Sequence, residues 1–441
     1  MYRLISKLVI YKNLKEDCLL VALAELMKEY DSLAGKENTA IQKENITSRI
    51  YTLINKLLEI ATKNGFDHNL WHNYLAYLLV ANENPFSIIC EKTGAQDGTV
   101  NEFAKNDFKI IKDLFDYDFK LLEEDLNINC FSIISNYKAV QKSSLSYNQN
   151  VSEKVQVLSD RIAKASDESE VFKVVTDFYR DYGVGIFGIH KAFRIRRSSD
   201  QLEILPIMNT QEVLLSDLVG YEIQKKKLID NTKAFVKGQK ANNVLLFGDS
   251  GTGKSTSVKA ILNEFYKDGL RMIEIYKHQF EDLSDLIAKI KNRNYKFIIY
   301  MDDLSFEEFE TDYKYLKAVI EGGLEIRPEN VLIYATSNRR HLIRETWKDR
   351  NDMEKTEEIH RSDTMQEKLS LVSRFGITIN FSAPAKKEYL EIVKNLACRQ
   401  GLNIPEEKLF AEANKWELSH GGMSGRTAQQ FINYLAGQSQ L

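Results

Sequence analysis

The chain has 441 residues, 43% of them hydrophobic, and its 60 Lys+Arg against 63 Asp+Glu leave a formal charge of −3. That length suits two or three domains of about 100–200 residues each, and the composition excludes wholesale disorder. The near-balanced charge excludes a globally basic nucleic-acid coat and an acidic solvating tail, though not a local basic patch.

The first residues, Met1–Lys12, lack an apolar stretch followed by a small-residue cleavage site, so no signal peptide is expected. Apolar runs such as Leu75–Ala81 fall short of the ~18 residues that a membrane span needs. Cys18, Cys90, Cys130 and Cys398 lie far apart without a C-x-x-C pair. That spacing argues against a disulfide framework or a zinc cluster and for a reducing, cytoplasmic setting.

Residues 1–180 read as helix after helix. Ile50, Leu53, Ile54, Leu57, Leu58 and Ala61 form one stripe of a helix over Ser48–Gly65, with Ser48 as N-cap and Gly65 as C-cap. Phe108, Ile111, Leu114, Phe115, Leu121 and Leu122 predict a second helix over Asn106–Leu126. Asp167–Tyr182 is a third, with Asp167 and Glu170 at capping-box spacing. The polar stretch Lys142–Asn150 reads as a loop between helical segments. No repeat of fixed period supports a solenoid.

Gly183–Gly188 formally satisfies G-x-G-x-x-G, but it follows a helix and no βαβ unit surrounds it. A helix C-cap leading into a packed turn is the better reading. The arginines that follow, Arg194, Arg196 and Arg197, could meet phosphate or a neighbouring subunit; a solvated charge cluster is the simpler expectation.

Near residue 240 the texture changes. Val244–Phe247, Met272–Tyr276, Phe297–Met301, Val331–Ala335 and Ile377–Phe381 are short apolar, β-branched runs separated by helix-length segments. Runs with so little polar alternation suit strands of a parallel sheet buried on both faces, joined by right-handed crossovers. From Pro384 onward the pattern is helical again.

Gly248-Asp249-Ser250-Gly251-Thr252-Gly253-Lys254-Ser255 fits G-x-x-x-x-G-K-[ST], after a strand and opening a helix to about Tyr266. Glycines at 248, 251 and 253 let the backbone turn its N–H groups around a phosphate, and the helix N-terminus favours the anion. Lys254 would reach the β- and γ-phosphates, and the Ser255 hydroxyl, followed by Thr256, would sit at Mg²⁺. The strand Phe297–Met301 ends in Asp302 and Asp303, delivered to the sheet edge where ligands bind. Asp302 is expected in the metal shell, and Asp303 is expected to orient or deprotonate the attacking water. Val331–Ala335 runs into Thr336-Ser337-Asn338, with Asn338 the candidate partner for water or γ-phosphate. Arg374, just before the last strand, and Arg426, at the start of the final helix, offer guanidinium groups for phosphoryl oxygens.

The ordered set of phosphate loop, paired acids, asparagine and two arginines resembles the AAA+ ATPases over residues 216–441. That resemblance implies a P-loop AAA+ α/β core with a five-stranded parallel sheet (216–383), a C-terminal helical lid (384–441), a connector (181–215) and a separate all-α N-terminal domain (1–180). It implies ATP and Mg²⁺ as ligands, with Val219 and Tyr221 of Leu218-Val219-Gly220-Tyr221 against adenine. Asp302 and Asp303 would be Walker B, Asn338 sensor 1, Arg374 an arginine finger acting on a neighbour's ATP, and Arg426 sensor 2. The Asp-Asp ending and the Ser-Arg-Phe-Gly box are most similar to the initiator and helicase-loader clade. The Ala335–Leu342 stretch and the Tyr182–Arg194 stretch resemble a bacterial family of predicted AAA+ ATPases with no assigned function. Most AAA+ motors carry Glu where Asp303 stands, one methylene longer, so Asp303 must sit nearer the water or act through another group such as Glu307.

The leading expectation is an oligomeric Mg²⁺-ATPase, a ring or filament, coupling turnover to movement of its helical N-terminal region or of an unknown protein client. A DNA-directed loader, with Arg339-Arg340 and Arg194–Arg197 as basic candidates, a small-molecule kinase and a nucleotide switch without turnover are the alternatives. The charged segment His341–Thr364 reads as a solvated surface loop or client contact, since His341 and His360 lack metal-ligand spacing.

Overall fold

The computed structural model describes residues 1–14, 18–33, 36, 39–139, 149–198, 201–306, 313–321, 328–338 and 371–439. The chain divides into two units, Met1–His190 and Lys191–Leu441. Glu307, Arg339, Arg340 and the charged segment His341–Thr364 lie outside the described residues.

In the first unit every described element is a helix, apart from an isolated bridge between His68 and Tyr137. The apolar stripe around Ile50 belongs to a longer helix, Ala40–Asn64, that starts well before Ser48; Thr39 holds the N-cap position and Ile46 extends the stripe. Gln42, Lys43 and Glu44, straight-chain polar residues that are good helix formers, carry the helix N-terminal to its apolar stripe. Gly65 ends the helix at φ 70°, as expected. The predicted helix over Asn106–Leu126 is two helices, Val100–Phe115 and Lys120–Leu126. The Asp118 carboxylate accepts from the Lys120 backbone N–H at 2.9 Å, where the second helix starts. The break resets the helical phase, so Leu122 is buried whereas Leu121 is 80% exposed. Asp167 caps Glu168–Tyr182 by accepting from Ser169 and Glu170, while the Glu170 carboxylate reaches Ser166 rather than the cap residue. The stretch Lys142–Asn150 is undescribed up to residue 148, and the backbone is helical from Gln149. Gly183 does end a helix, and Gly185–Ile189 forms one further turn.

The core of this unit gathers residues such as Leu23, Ile50, Leu75, Phe108 and Tyr179. Asp107, fully buried, accepts from the backbone N–H groups of Val9, Ile10 and Tyr11 at 2.8–3.1 Å. Three N–H donors satisfy a carboxylate that burial would otherwise make unaffordable, and they pin the N-terminal segment to the helix Val100–Phe115.

In the second unit the strands are β1 (Ala192–Ser198), β2 (Gln201–Pro206), β3 (Val244–Gly248), β4 (Leu270–Glu274), β5 (Lys296–Met301), β6 (Val331–Ser337) and β7 (Ile377–Phe381). They form one seven-stranded sheet in the order β2-β1-β4-β5-β6-β3-β7. All neighbouring pairs are parallel except β1 with β2. The five expected strands are all present, but the expected count of five is too low. The segment taken as connector supplies β1 and β2. Phe193 and Ile195 are buried and alternate with exposed Arg194 and Arg196, the period of a strand with one buried face. Its outward arginines are ion-paired, Arg196 with Glu203 and Arg197 with Asp282 and Asp285.

β5 and β6 are buried along nearly their whole length, as continuous apolar runs in a parallel sheet must be. β3 lies between β6 and β7, and the chain leaves it for β4 on the far side of β6 and β5. Such a reversal of strand order opens a crevice beyond the strand's C-terminal end, where ligands bind in open α/β sheets. Three helices, Lys386–Arg399, Glu406–Ser419 and Gly425–Ser439, follow β7 and bury their own cluster around Tyr389, Val393, Ala413 and Ile432.

Candidate nucleotide site

β3 ends at Gly248, the loop 249–253 follows, and the helix Lys254–Phe265 begins at once. Gly248 has φ 133°, and a Cβ there would lie 2.2 Å from the carbonyl oxygen of Phe381, so only glycine fits. Gly253 occupies the N-cap of the helix in the left-handed region, φ 93°. Lys254, 6% exposed, donates from its ammonium to the carbonyls of Gly248 (3.0 Å) and Asp249 (2.6 Å) and to Asn338 Oδ1 (2.9 Å). Burial holds its pKa below the usual lysine value, with Asp249 and Asp303 pulling the other way.

Asn338 also donates from Nδ2 to Asp303 Oδ1 at 2.8 Å. An ammonium only donates and a carboxylate only accepts, so the amide has one workable orientation and Lys254–Asn338–Asp303 is a continuous chain. Asp303 itself sits at φ 52°, in the left-handed region. It is held there by its own N–H to Thr336 Oγ1 (3.0 Å) and by the next N–H, Leu304, to Thr336 O (2.7 Å).

A second chain runs beside the first. Ser255 Oγ and Thr336 Oγ1 both donate to Asp302 Oδ1, at 2.7 and 2.6 Å. Burial opposes charge on Asp302, but the hydrogen bonds from Thr336 and Ser255 outweigh it and hold the carboxyl below its ordinary pKa. A hydroxyl and a carboxylate this close are hard oxygen donors of the kind Mg²⁺ takes, with waters and phosphate oxygens completing its shell. Among the described residues no cluster of three His, Cys, Asp or Glu could hold a metal.

Both chains open into a cavity of about 920 Å³. Val219, Tyr221, Ser250, Gly251, Thr252, Gly253, Lys254, Ser255, Thr256, Asp302, Asp303, Asn338 and Arg426 line it, so most of the residues singled out in the sequence meet here. Gly248 and Asp249 do not line it. The Tyr221 hydroxyl donates to Ser382 O at 2.7 Å and its ring lies 5.1 Å from that of Phe381, while Val219 packs on the lid cluster. Arg426 opens the last lid helix, and its backbone N–H donates to Gly251 O at 3.2 Å. Arg374 is half-buried just ahead of β7 and does not line this cavity.

The model of a family described as "Protein of unknown function (DUF815)" matches residues 189–439, more than half of the chain. The chain belongs to that family. No curated protein matches it. Among solved structures it is similar to two variants of RuvB from Thermotoga maritima, each at 18% identity over 52% of this chain, with TM-scores of 0.36 and 0.37. The chain spans 65% and 66% of the length of those RuvB chains. It is also similar to the FIGL-1 AAA domain in complex with ADP, at 17% identity, TM-score 0.36, covering 52% of this chain and 74% of that one.

In this DUF815 member the cavity also takes in residues that the sequence reading missed. Thr336 holds both acidic residues in place. Strand alternation puts it on the same face as Asn338, two residues on, and that signal could have found it. Gln429 and Gln430 line the lid side, three and four residues beyond Arg426 on one helix face. Arg399, at the end of the first lid helix, donates to Ser216 O (2.6 Å) and Asp217 O (2.9 Å). It also pairs with the Asp217 carboxylate at 3.2 Å, and nothing in its local pattern marks it, because all these partners lie far away in the chain.

Proposed function

We propose that the chain is a Mg²⁺-dependent ATPase of the AAA+ kind, working as an assembly and coupling turnover to remodelling of a protein client or of its own helical N-terminal unit. The observation that carries this reading is the pair of hydrogen-bonded chains, Lys254–Asn338–Asp303 and Ser255–Asp302–Thr336, side by side in one cavity. Phosphoryl transfer needs little covalent chemistry from a protein; it needs charge in position. Lys254 would exchange its carbonyl partners for β- and γ-phosphate oxygens. Ser255 and Asp302 would hold Mg²⁺, which when bound neutralises the charge developing on the phosphates. Asp303 would accept a proton from the attacking water, with Asn338 fixing its carboxylate, and Arg426 would reach the phosphates from the lid. Arg374 stands outside its own chain's cavity, a position that suits an arginine acting on a neighbour's ATP.

A slower nucleotide switch is a second reading, and the Asn338–Asp303 bond favours it, because that bond competes with a water for the carboxylate. Steady-state ATP hydrolysis per chain, measured over a wide range of protein concentration, separates the two. Rising specific activity, lost in Lys254→Ala and lowered on the order of 10³-fold in Arg374→Ala, is the expected result. Tight ATP binding with no turnover at any concentration would point instead to a switch, or to an enzyme awaiting its client, and would count against Asp303 as base.

A further inference from the structure

The phosphate loop touches the lid at both of the lid's ends. At the near end, Asp249 N–H donates to Phe381 O at 3.0 Å, and the Asp249 carboxylate accepts from the backbone N–H of Ala383 at 2.6 Å. Ala383 lies in the short segment between β7 and the first lid helix, followed by Pro384 and the helix Lys386–Arg399. The same segment is held at Ser382 O by the Tyr221 hydroxyl, 2.7 Å. At the far end, Arg426 N–H donates to Gly251 O at the start of the last lid helix.

A carboxylate in this loop is costly for its expected ligand. The loop's N–H groups and helix terminus serve an anion, and a fixed negative charge beside them repels it. A neutral residue would bind phosphate better, so the carboxylate serves something else. Its partner is a single backbone donor at the hinge, and a charged acceptor makes that bond stronger than a neutral one. Lys254 Nζ is meanwhile bonded to the carbonyl of the same Asp249 at 2.6 Å. An ammonium turned toward a phosphate would let go of the residue whose carboxylate accepts from Ala383.

We propose that Asp249 is a positioning residue that links phosphate occupancy of the loop to the lid hinge at Ala383, and through the lid to the placement of Arg426. The inference rests on the ATPase reading above. It assigns Asp249 no contact with the nucleotide.

The test compares the full chain with Asp249→Ala and Asp249→Asn by hydrogen exchange, with and without Mg²⁺-ATP, alongside ATP affinity, KM and kcat. Both substitutions remove the charge, but only Asn keeps a side-chain oxygen that can accept the Ala383 N–H. In the parent, ATP should slow exchange in the loop peptide and change it in the hinge peptide spanning residues 381–389. In Asp249→Ala the loop should still be protected and ATP should bind as tightly or more tightly. The hinge peptide should stop responding, and kcat should fall about tenfold with KM little changed. Asp249→Asn should restore most of the hinge response and bring kcat to within about threefold of the parent. A hinge that responds to ATP in Asp249→Ala as it does in the parent would overturn the proposal. So would an Asn variant indistinguishable from Ala, which would make the charge, not the bond, the active feature. Failure of the parent's loop peptide to respond to ATP would instead overturn the ATPase reading on which the proposal stands.

Discussion

Asp303 follows β5 at φ 52°, a backbone conformation that Asp and Asn adopt more readily than longer side chains. That supplies a physical reason for an Asp where a Glu is usual in the resembled family. The left-handed turn carries the carboxylate forward, and Asn338 receives it at 2.8 Å. Asp303→Asn preserves the turn and leaves an oxygen for Asn338 but cannot take a proton from water. We expect kcat to fall by about 10²–10⁴-fold with ATP affinity within a few-fold of the parent, measured by single-turnover hydrolysis and nucleotide titration. Equal losses in binding and kcat would remove Asp303 from the role of base. At this scale the convergence of the residues was readable, because motif spacing on a strand–loop–helix and at strand ends brings them to one sheet edge: Lys254, Ser255, Asp302 and Asn338 line one cavity. Thr336 was readable only through its alternation with Asn338, and Arg399 was not readable at all. A threonine inside an apolar strand looks like any β-branched core residue, and the partners of Arg399, the Asp217 carboxylate and the carbonyls of Ser216 and Asp217, lie more than 180 residues away in the chain.

The same division holds for elements. Buried parallel strands were visible as unbroken apolar runs, and β3, β5 and β7 fall within a residue of their expected bounds. β1 was missed because its alternating arginines suggested a charge cluster, when period two with Phe193 and Ile195 inward is the mark of a strand. The helix break after Phe115 was missed because a stripe of leucines continues across it, and only the exposure of Leu121 reveals the change of phase. Elements also constrain one another where β3 meets β7 in parallel, Gly248 opposite Phe381. Gly248→Ala places a methyl group 2.2 Å from a backbone oxygen at φ 133°. We expect a stability loss of roughly 1–3 kcal/mol, seen as a lower denaturant midpoint for the second unit, together with weakened ATP binding. Gly437→Ala is the control. It sits in the last helix with nothing within 4 Å of the added methyl, and it should leave the midpoint unchanged or raise it by up to about 1 kcal/mol.

At the scale of the whole chain, each unit has a core of its own. The first gathers around Leu75 and Phe108, the second around Val244, Ile261 and Tyr334, with the lid cluster beside it. The division at His190/Lys191 lies beyond the expected end of the helical region at 180, because Gly185–Ile189 adds a last helical turn and β1 begins directly after it. The candidate nucleotide cavity is lined wholly by residues of the second unit. A ligand that binds only the native form of that unit stabilises it by RT ln(1 + [L]/Kd), about 2.7 kcal/mol at a hundredfold excess over Kd. For a unit of this size that corresponds to a rise of roughly 5–10 °C in its midpoint. Calorimetry of the full chain should therefore resolve two transitions, of which only one moves when Mg²⁺-ATP is added. Lys254→Ala should abolish the shift without altering the other transition, and omission of Mg²⁺ should reduce it. If a single transition appears and moves as a whole, the two units unfold as one cooperative body, and ATP binding stabilises the helical unit as well. If neither moves, the cavity does not hold ATP, and the functional reading built on Lys254, Asp302 and Asp303 fails with it.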